Sequence, residues 1–368
     1  MTYKNFNLIK KIRYLFFNFI YGKIYKITSF KKTDKIKSKK ISFLNKYNYF
    51  FYKICNGRLY SNTVSDTAFI INNKLVKEPS FQFREKENYK VVNSRIKDNL
   101  VLKVGTPNFK KKINGDVLSL LTGGAGKNNY WHWIFDVLPR IGIFEKSGEK
   151  NIDFYLLPAI TKIYQKESIT LLSILEKKIL DGEKLKHIEC KNLFAVDHPC
   201  VFNNNPSKAV ENIPSWILKW LRKKYLSKKI SKSQYSKKIF ISRDKDSNLD
   251  RRKIINSEQV ENFFKKKGFS ILTLGEHSFS EQISAFKNAK LIAGLHGAGF
   301  ANMVFSDKKT NIIEIKSKDN GKAIMNLAKK CGHKYLEILE KNEKSNLKHQ
   351  NAHIKVNIDK LEKIKLLN

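Results

Sequence analysis

The chain has 368 residues, of which 41% are hydrophobic and 12% aromatic. It is long enough for two domains and apolar enough to bury a core, which excludes an intrinsically disordered protein. The formal net charge of +39 suits a polyanionic partner, but it also follows from the Lys-, Asn- and Ile-rich composition that an AT-rich genome produces. No zinc-finger spacing, RNP-like aromatic strand or helix-turn-helix signature accompanies the charge, so we expect no nucleic-acid partner.

The four cysteines are scattered and form no CxxC pair; they are Cys55, Cys190, Cys200 and Cys331. This spacing predicts neither a zinc site nor a disulfide framework, and it favours a reducing compartment.

The first residues of the chain are strongly basic. Residues 1–40 carry twelve Lys or Arg residues, and Asp34 is their only acid. The apolar stretch Tyr14–Tyr21 is too short to span a bilayer, and no small-residue cleavage site marks a signal peptide. Two interpretations stay open: a segment that lies in a membrane interface and binds anionic lipids, or a basic helix packed on the enzyme body.

The first half of the chain mixes short strands with helices. An apolar run from Val117 to Leu121 ends at Gly123-Gly124, and residues 129–144 have helical spacing. A buried strand is predicted over Asp153–Pro158 and an amphipathic helix over Ile169–Ile179. A Lys- and Ser-rich stretch, Lys223–Lys238, is typical of a linker.

After this stretch the alternation of strands and helices becomes regular. The predicted strands are Lys238–Ser242, Ser270–Leu274, Leu291–Leu295 and Asn311–Ile315, and the predicted helices are Ser257–Lys267, Ser280–Ala289 and one that starts over Ala298–Phe305. We expect Ser257 and Ser280 to cap their helices and Gly268 to end one. Such alternation predicts βαβ units, a parallel sheet and a Rossmann-like domain.

One strand of this domain runs directly into the loop His296-Gly297-Ala298-Gly299, and a helix follows at once. Ligands of open α/β sheets bind at the carboxyl ends of strands, where a helix N-terminus offers N–H groups to phosphate. Glycines let the backbone approach a diphosphate closely, and His296 could bond a phosphate or the sugar. The alternative is a tight turn with a buried, satisfied histidine. The loop lacks the GxGxxG pattern of a nicotinamide or flavin site.

Basic side chains follow the neighbouring strand. Arg243 comes directly after Ser242, and Arg251, Arg252 and Lys253 follow shortly after it. An arginine fork matches bidentate phosphate contact, although a basic loop is also often simply solvated.

Taken in order, these segments resemble glycosyltransferase family 61, which includes bacterial capsular polysaccharide biosynthesis proteins. The matching motifs are Asn129–Arg140 with His132 and Asp136, Ser242-Arg243, Arg252–Asn256, Glu281-Gln282, the loop His296–Gly299 with Asn302, and Glu314, over about residues 115–320. Two positions depart mildly from the family pattern: Ser257 stands where an acid is usual, and Phe300-Ala301 where Leu-Thr is commoner.

The resemblance implies an α/β protein with a GT-B-like architecture, two Rossmann-like domains facing across a cleft, and an inverting transfer without a bound metal. We assign residues 1–60 to a basic N-terminal segment, 61–225 to an acceptor-side domain, 226–340 to the nucleotide-sugar-binding domain, and 341–368 to a tail that packs back on the N-terminal domain.

The candidate catalytic residues are Asp136 and His132, which the spacing i,i+4 places on one helix face with Arg140. An inverting transfer needs a base for the acceptor hydroxyl. Asp136 is the expected base and His132 its orienting partner, or a donor contact. The alternatives are a carboxylate paired with Arg140 and a core histidine. Trp131 and Trp133 either stack on a sugar or pack in the core.

The candidate donor-binding residues are Arg243, Arg252, Glu281, His296, Gly297, Ala298, Gly299, Asn302 and Glu314. Glu281 either contacts the donor sugar or ribose or is simply stabilised in the first turn of its helix. Glu314, at a strand end, is placed to accept ribose hydroxyls.

We therefore expect a glycosyltransferase that moves a sugar from a nucleotide sugar, with UDP as carrier, to a hydroxyl of a cell-surface polysaccharide or lipid-linked glycan. No further cofactor is expected. The predicted location is cytoplasmic, with peripheral contact to the anionic inner membrane. Alternatives are an epimerase or a phosphate-ester hydrolase on the same fold, or a non-catalytic basic nucleotide- or nucleic-acid-binding protein.

Overall fold

The computed structural model describes residues 3–63, 66–85, 91–121, 128–150, 152–200, 206–228, 233–243, 252–343 and 351–367. The chain divides into two compact units, numbered here 1 and 2. Unit 1 contains Met1–Thr161 and Ser173–Ala209, and unit 2 contains Lys162–Leu172 and Val210–Asn368. Both units combine helices with a sheet, which confirms the predicted α/β class.

The α-helices are α1 Tyr3–Tyr21, α2 Val101–Val104, α3 Tyr130–His132, α4 Pro139–Ser147, α5 Ile163–Leu171, α6 Pro206–Glu211, α7 Ser215–Leu226, α8 Ser257–Lys266, α9 Phe279–Asn288, α10 Ala323–Cys331 and α11 Ile358–Glu362. A π-helix covers Trp133–Val137, and 3₁₀ helices cover Phe30–Lys32, Ile96–Asp98, Glu176–Lys178, Leu274–Glu276 and Ala298–Phe305. Within the described ranges, no helix is long and apolar enough to cross a membrane.

The strands are β1 Lys26–Thr28, β2 Ile36–Phe43, β3 Tyr47–Thr63, β4 Asp66–Ile71, β5 Lys74–Val76, β6 Phe81–Glu85, β7 Val91–Asn93, β8 Lys111–Ile113, β9 Val117–Ser119, β10 Phe154–Leu157, β11 Ile179–Asp181, β12 His187–Val196, β13 Lys238–Ser242, β14 Ser270–Thr273, β15 Leu291–Leu295, β16 Asn311–Ser317 and β17 Lys334–Glu340.

The sheet of unit 1 is mixed. Its main path runs β1-β5-β4-β3-β12-β9-β10-β11, and β2, β6, β7 and β8 pair at its sides. The long strands β3 and β12 are antiparallel partners, whereas β9, β10 and β11 are parallel to one another. Parallel pairing, which is expected throughout a Rossmann-like domain, also joins β12 to β8 and β9 and β1 to β5. The strands β3 and β4 pair antiparallel with their neighbours, so this sheet is only partly of the expected kind.

The basic N-terminal segment predicted over residues 1–60 is not separate from the sheet. Strand β2 pairs antiparallel with β3 from Ile36↔Ile54 to Phe43↔Tyr47. The lysines of β2 are exposed, while Ile36 and Ile41 are buried. Because most of its side chains face solvent, the sequence pattern did not indicate a strand here. Lysine on a strand that borders solvent is a common protection against unwanted pairing.

Unit 2 contains a five-stranded parallel sheet with the order β14-β13-β15-β16-β17. This is the doubly wound order 2-1-3-4-5. The chain adds strands on one side of its first strand and then on the other, so the switch point lies between the first and third strands, here β13 and β15. The predicted strands are confirmed, and β17 extends the sheet further. Residues alternate between the faces of the sheet, so that Ile313 and Ile315 join one core cluster while Glu314 lies on the opposite face.

Residues 351–367, the described end of the tail predicted over 341–368, belong to the core of unit 2, whereas we predicted that the tail packs on the N-terminal domain. Ile354, Val356, Leu361 and Leu367 are buried with the side chains of the sheet and α8. Asn256 also holds this segment, since its side chain bonds both the backbone N–H and the C=O of Val356.

Two predicted helix boundaries were wrong. The helix expected over Ile169–Ile179 is α5, Ile163–Leu171, and Ile179 begins strand β11. The predicted linker Lys223–Lys238 starts inside α7, because Trp216, Ile217, Leu221 and Tyr225 form a buried face that continues the helix to Leu226.

The caps also differ from expectation. Asn256, and not Ser257, precedes α8, while Gly268 follows its C-cap with a left-handed φ of 80°, as predicted. Helix α9 is capped by Ser278 instead of Ser280. Helix α5 adds a second anchor, because the Glu167 carboxylate accepts the N–H of Phe279 at 2.5 Å and the Ser280 hydroxyl at 2.5 Å.

Replacing Glu167 tests the place of α5 in unit 2. Glu167→Ala leaves the first N–H groups of α9 without their carboxylate acceptor, so we expect the free energy of unfolding to fall by about 2 kcal/mol. Urea unfolding followed by circular dichroism measures the change. The exposed Glu258→Ala on α8 is the matched control, expected within about 0.5 kcal/mol of the parent. Equal stability of the two variants would contradict the anchoring role of Glu167.

Candidate functional site

The helix that carries Asp136 and His132 contains a π turn between α3 and α4. Leu138 N–H donates to the carbonyl of Trp133, five residues earlier, at 3.1 Å. Pro139 follows and has no N–H to donate, and its ring clashes with the carbonyl four residues earlier, so the regular series of helical hydrogen bonds is interrupted here. The carbonyl of Phe135 is bonded instead by the Cys200 thiol at 3.3 Å, and π turns of this kind often occur at functional sites.

The π-containing helix brings the two predicted catalytic residues together. His132 Nδ1 lies 2.5 Å from Asp136 Oδ2. A carboxylate can only accept, so Nδ1 carries the proton and Nε2 of a neutral His132 offers its lone pair. The Asp136 side chain is 9% exposed and that of His132 23%, so the histidine is the more accessible member of the pair.

A second histidine flanks the carboxylate. His198, which follows β12, places Nε2 3.9 Å from Asp136 Oδ2. Its Nδ1 accepts the N–H of Cys200 at 3.1 Å, so the ring proton of neutral His198 lies on Nε2, toward Asp136. His198 is also stacked on Phe81, with ring centroids 5.4 Å apart, which fixes the plane of its ring.

The charges of this cluster are coupled. Burial would raise the pKa of Asp136, but both histidines and the hydrogen bonds from His132 and Cys200 together lower it. Burial would likewise lower the pKa of His132, but the charge and hydrogen bond of Asp136 outweigh it and raise that pKa. Burial lowers the pKa of His198 to about 3, although the charge of Asp136 acts in the opposite direction.

The remaining predicted members of the helix are structural. Arg140 is buried and donates to two backbone carbonyls, those of Asp136 and Val196, each at 3.2 Å, instead of pairing with the Asp136 carboxylate. Trp131 and Trp133 are both buried, so they pack in the core and do not offer a face to a sugar.

In unit 2, the predicted donor loop lies at the switch point of the sheet. Arg243 follows β13 and His296 follows β15, the two strands between which the order reverses. Gly294 allows β15 to lie close to β13, because a Cβ at residue 294 would lie 2.9 Å from the Cβ of Ile241 and 3.0 Å from the Ile241 carbonyl oxygen. A Cβ at Gly299 would lie 2.7 Å from Leu274 Cδ1, so the loop backbone packs directly on its neighbours.

A buried carboxylate fixes the histidine of this loop. Glu314 is fully buried, and its two oxygens are bonded by His296 Nδ1 and by the Tyr335 hydroxyl. Glu314 therefore orients His296 instead of accepting ribose hydroxyls, the role that its strand-end position suggested. Burial lowers the pKa of His296 although its Nδ1–H donates to the Glu314 carboxylate, so the ring is neutral near pH 7 and Nε2 is an acceptor.

Two arginines meet at the same turn. Arg252 Nη1 donates to the His296 carbonyl at 2.5 Å, and Arg243 Nη1 lies 3.4 Å from that oxygen. A Cβ at Gly297 would stand 3.3 Å from Arg243 Nη1, so glycine leaves room for the guanidinium beside the loop. Ala298 begins the 3₁₀ helix that follows. Two other residues of the motif, Asp244 and Arg251, lie outside the described residues, as do Gly123 and Gly124 of the first half.

Two of the predicted donor residues have hydrogen-bond partners within the protein, and their contact with a donor stays a prediction. Asn302 is fully buried and donates to Gln282 Oε1 at 2.9 Å. Nε2 of Gln282 in turn donates to the carbonyls of Leu274 and His277. Glu281 forms a capping box with Ser278, whose backbone and side-chain hydrogen bonds lower the pKa of Glu281.

Sequence reasoning missed His198 and Tyr335. The signal for His198 was present, because the polar run Asp197-His198-Pro199-Cys200 directly follows the apolar end of β12. Tyr335 carried no such signal: an aromatic residue on a strand is ordinary, and only the tertiary pairing of β16 and β17 brings it to Glu314. In the part of the chain that the structure describes, no group of three His, Cys, Asp or Glu side chains could hold a metal ion.

A family model described as Glycosyltransferase 61 matches residues 130–313, half of the 368 residues. The matched region starts at α3 and ends in β16, so it contains both the Asp136 cluster and the His296 loop. No match was found among curated proteins.

The bond between His132 and Asp136 makes a prediction that needs no substrate. Asp136→Asn removes the anion that raises the pKa of His132 and leaves the effect of burial, so this pKa falls below its ordinary value of 6.5. An NMR titration of the histidine rings measures it. Glu145→Gln, a change at an exposed position of α4, is the control and should leave the pKa of His132 unchanged. An unchanged His132 pKa in Asp136→Asn would contradict the coupling.

Proposed function

Because the chain belongs to glycosyltransferase family 61 and is a glycosyltransferase, we propose that it uses a nucleotide sugar, with UDP as carrier. The proposed acceptor is a hydroxyl of a cell-surface polysaccharide or lipid-linked glycan. A sugar donor and a glycan acceptor are what the family implies, and they favour transfer over the epimerase, hydrolase and nucleic-acid-binding alternatives.

One observation carries the donor assignment: the glycine loop, His296 and the two arginines converge at the switch point between β13 and β15. Doubly wound sheets bind nucleotides in this crevice. The start of the 3₁₀ helix after Gly297 adds backbone N–H groups, and neutral His296 adds an acceptor for a hydroxyl. A diphosphate with an attached sugar needs both kinds of partner.

The charge that leaves with the nucleotide diphosphate must be stabilised. We propose that Arg243 and Arg252 supply this stabilisation without a metal ion, since both guanidinium groups lie at the donor loop and Arg252 is held by the His296 carbonyl. The proposed reaction is an inverting displacement in a GT-B arrangement, with the donor in unit 2 and the base in unit 1.

We propose His132 as the base and Asp136 as the residue that orients it, the reverse of the roles expected from the spacing. Asp136 is nearly enclosed and its pKa is lowered, which makes it a poor proton acceptor. His132 is more exposed, and its raised pKa suits a base near neutral pH. Its free Nε2 would take the proton of the acceptor hydroxyl as that oxygen attacks the anomeric carbon.

Nucleotide binding tests the donor site. We expect UDP and UDP-sugars to raise the melting temperature, measured with EDTA present, and ATP and NAD to have little effect. Arg243→Ala and Arg252→Ala should each weaken UDP binding by about tenfold or more, since each removes a charged contact. Arg95→Ala, an exposed arginine of unit 1, is the control. Stabilisation by NAD or ATP and not by UDP would contradict the proposal.

The pH dependence separates the two candidate bases. If neutral His132 accepts the proton, kcat/KM falls as the pH drops through its pKa, which lies above 6.5. If Asp136 were the base, the rate would stay flat until the pH falls below 3.8, because its pKa is lowered from that value. His132→Gln should reduce kcat by about 10²- to 10⁴-fold and keep UDP binding. A flat profile between pH 5 and 8 or full activity of His132→Gln would remove His132 as the base.

A further inference from the structure

Helix α1 exposes an apolar face. Phe19 is 91% exposed, and six further large hydrophobic side chains on this helix are exposed; they are Leu8, Ile9, Ile12, Leu15, Phe16 and Ile20. With 3.6 residues per turn, these seven side chains fall within an arc of about 140°. The stripe is roughly 18 Å long.

The opposite side of α1 is firmly attached to unit 1. Phe17 is 5% exposed and packs against Tyr21 and Phe109, with ring centroids 5.9 and 5.0 Å apart. Arg13 Nε donates to the Pro107 carbonyl at 2.9 Å. The Tyr21 carbonyl at the end of the helix accepts a bond from Arg58 at 3.3 Å. The exposed face therefore belongs to a helix that is held in place, and not to a frayed end.

Cations border the apolar face. By the same helical spacing, Lys11 lies beyond one edge of the stripe and Arg13 beyond the other. Lys23 and Lys26 follow the helix and are exposed, and Asp34 is the only acid among residues 1–40. A second copy of this surface would bring like charges together, whereas anionic headgroups complement them. Apolar side chains flanked by Lys and Arg are typical of helices that lie in a bilayer interface.

We propose that α1 is an interfacial anchor that binds the surface of an anionic bilayer, with Leu15 and Phe19 inserted among the acyl chains and Lys11 at the headgroups. This inference goes beyond the transfer reaction and rests on α1 alone. It places the enzyme at the surface where a lipid-linked acceptor would be found.

Vesicle flotation of the full chain, without donor or acceptor, tests the anchor and can fail while the proposed transfer activity stands. The chain should float with phosphatidylcholine vesicles that contain phosphatidylglycerol and much less with pure phosphatidylcholine. Leu15→Ser/Phe19→Ser should lower binding by about tenfold or more, and Lys11→Glu by about fivefold or more. Both changes are at exposed positions, so circular dichroism should show an unaltered fold.

The matched control is Ile163→Ser/Leu175→Ser, which removes two exposed hydrophobic side chains outside α1. It should float like the parent. Equal loss in this control, or no flotation of the parent chain, would overturn the proposal. So would light scattering that shows a dimer which Leu15→Ser/Phe19→Ser converts to a monomer while flotation is unchanged, because α1 would then bind a second copy.

Discussion

In each unit a buried carboxylate accepts a hydrogen bond from Nδ1 of a histidine. Asp136 holds His132 in unit 1, and Glu314 holds His296 in unit 2. The bond fixes the ring plane and the tautomer, so that Nε2 is the nitrogen left to act on a ligand. The candidate chemistry depends on this interaction, because a free imidazole would lose both its direction and its defined proton position.

The two pairs differ in their surroundings, and this sets different proton affinities. Asp136 has two histidines near it, and its charge raises the pKa of the more exposed His132. Glu314 shares its oxygens between His296 and Tyr335, and burial lowers the pKa of His296. The first arrangement suits a group that takes up a proton, and the second suits a neutral group that accepts a hydrogen bond. The same pair of residue types can therefore serve a base and a binding contact.

The sequence was sufficient to predict the parallel sheet of unit 2, since strands such as Leu291–Leu295 are continuous apolar runs between amphipathic helices. It also placed His132 beside Asp136, because helical spacing determines that contact. It could not place Glu314, whose strand-end position suggested a ligand contact while tertiary packing buried it completely. Strand β2 was missed for a different reason, because four successive exposed residues separate its buried Ile36 and Ile41 and the usual alternation of a strand is absent.

In the proposed reaction, negative charge grows on the leaving diphosphate while the acceptor oxygen loses its proton. The stabilising groups must be in position before this happens, because reorienting them during the reaction would cost free energy. The carbonyl of His296 helps to hold Arg252 in position because it accepts a hydrogen bond from it, and Gly297 leaves room for the guanidinium of Arg243. Glu314 thus holds the imidazole of His296, and the backbone carbonyl of His296 in turn holds the guanidinium of Arg252. The tight approach that Gly294 allows between β13 and β15 is then a condition for both, since it brings Arg243, at the end of one strand, beside the His296 carbonyl at the end of the other.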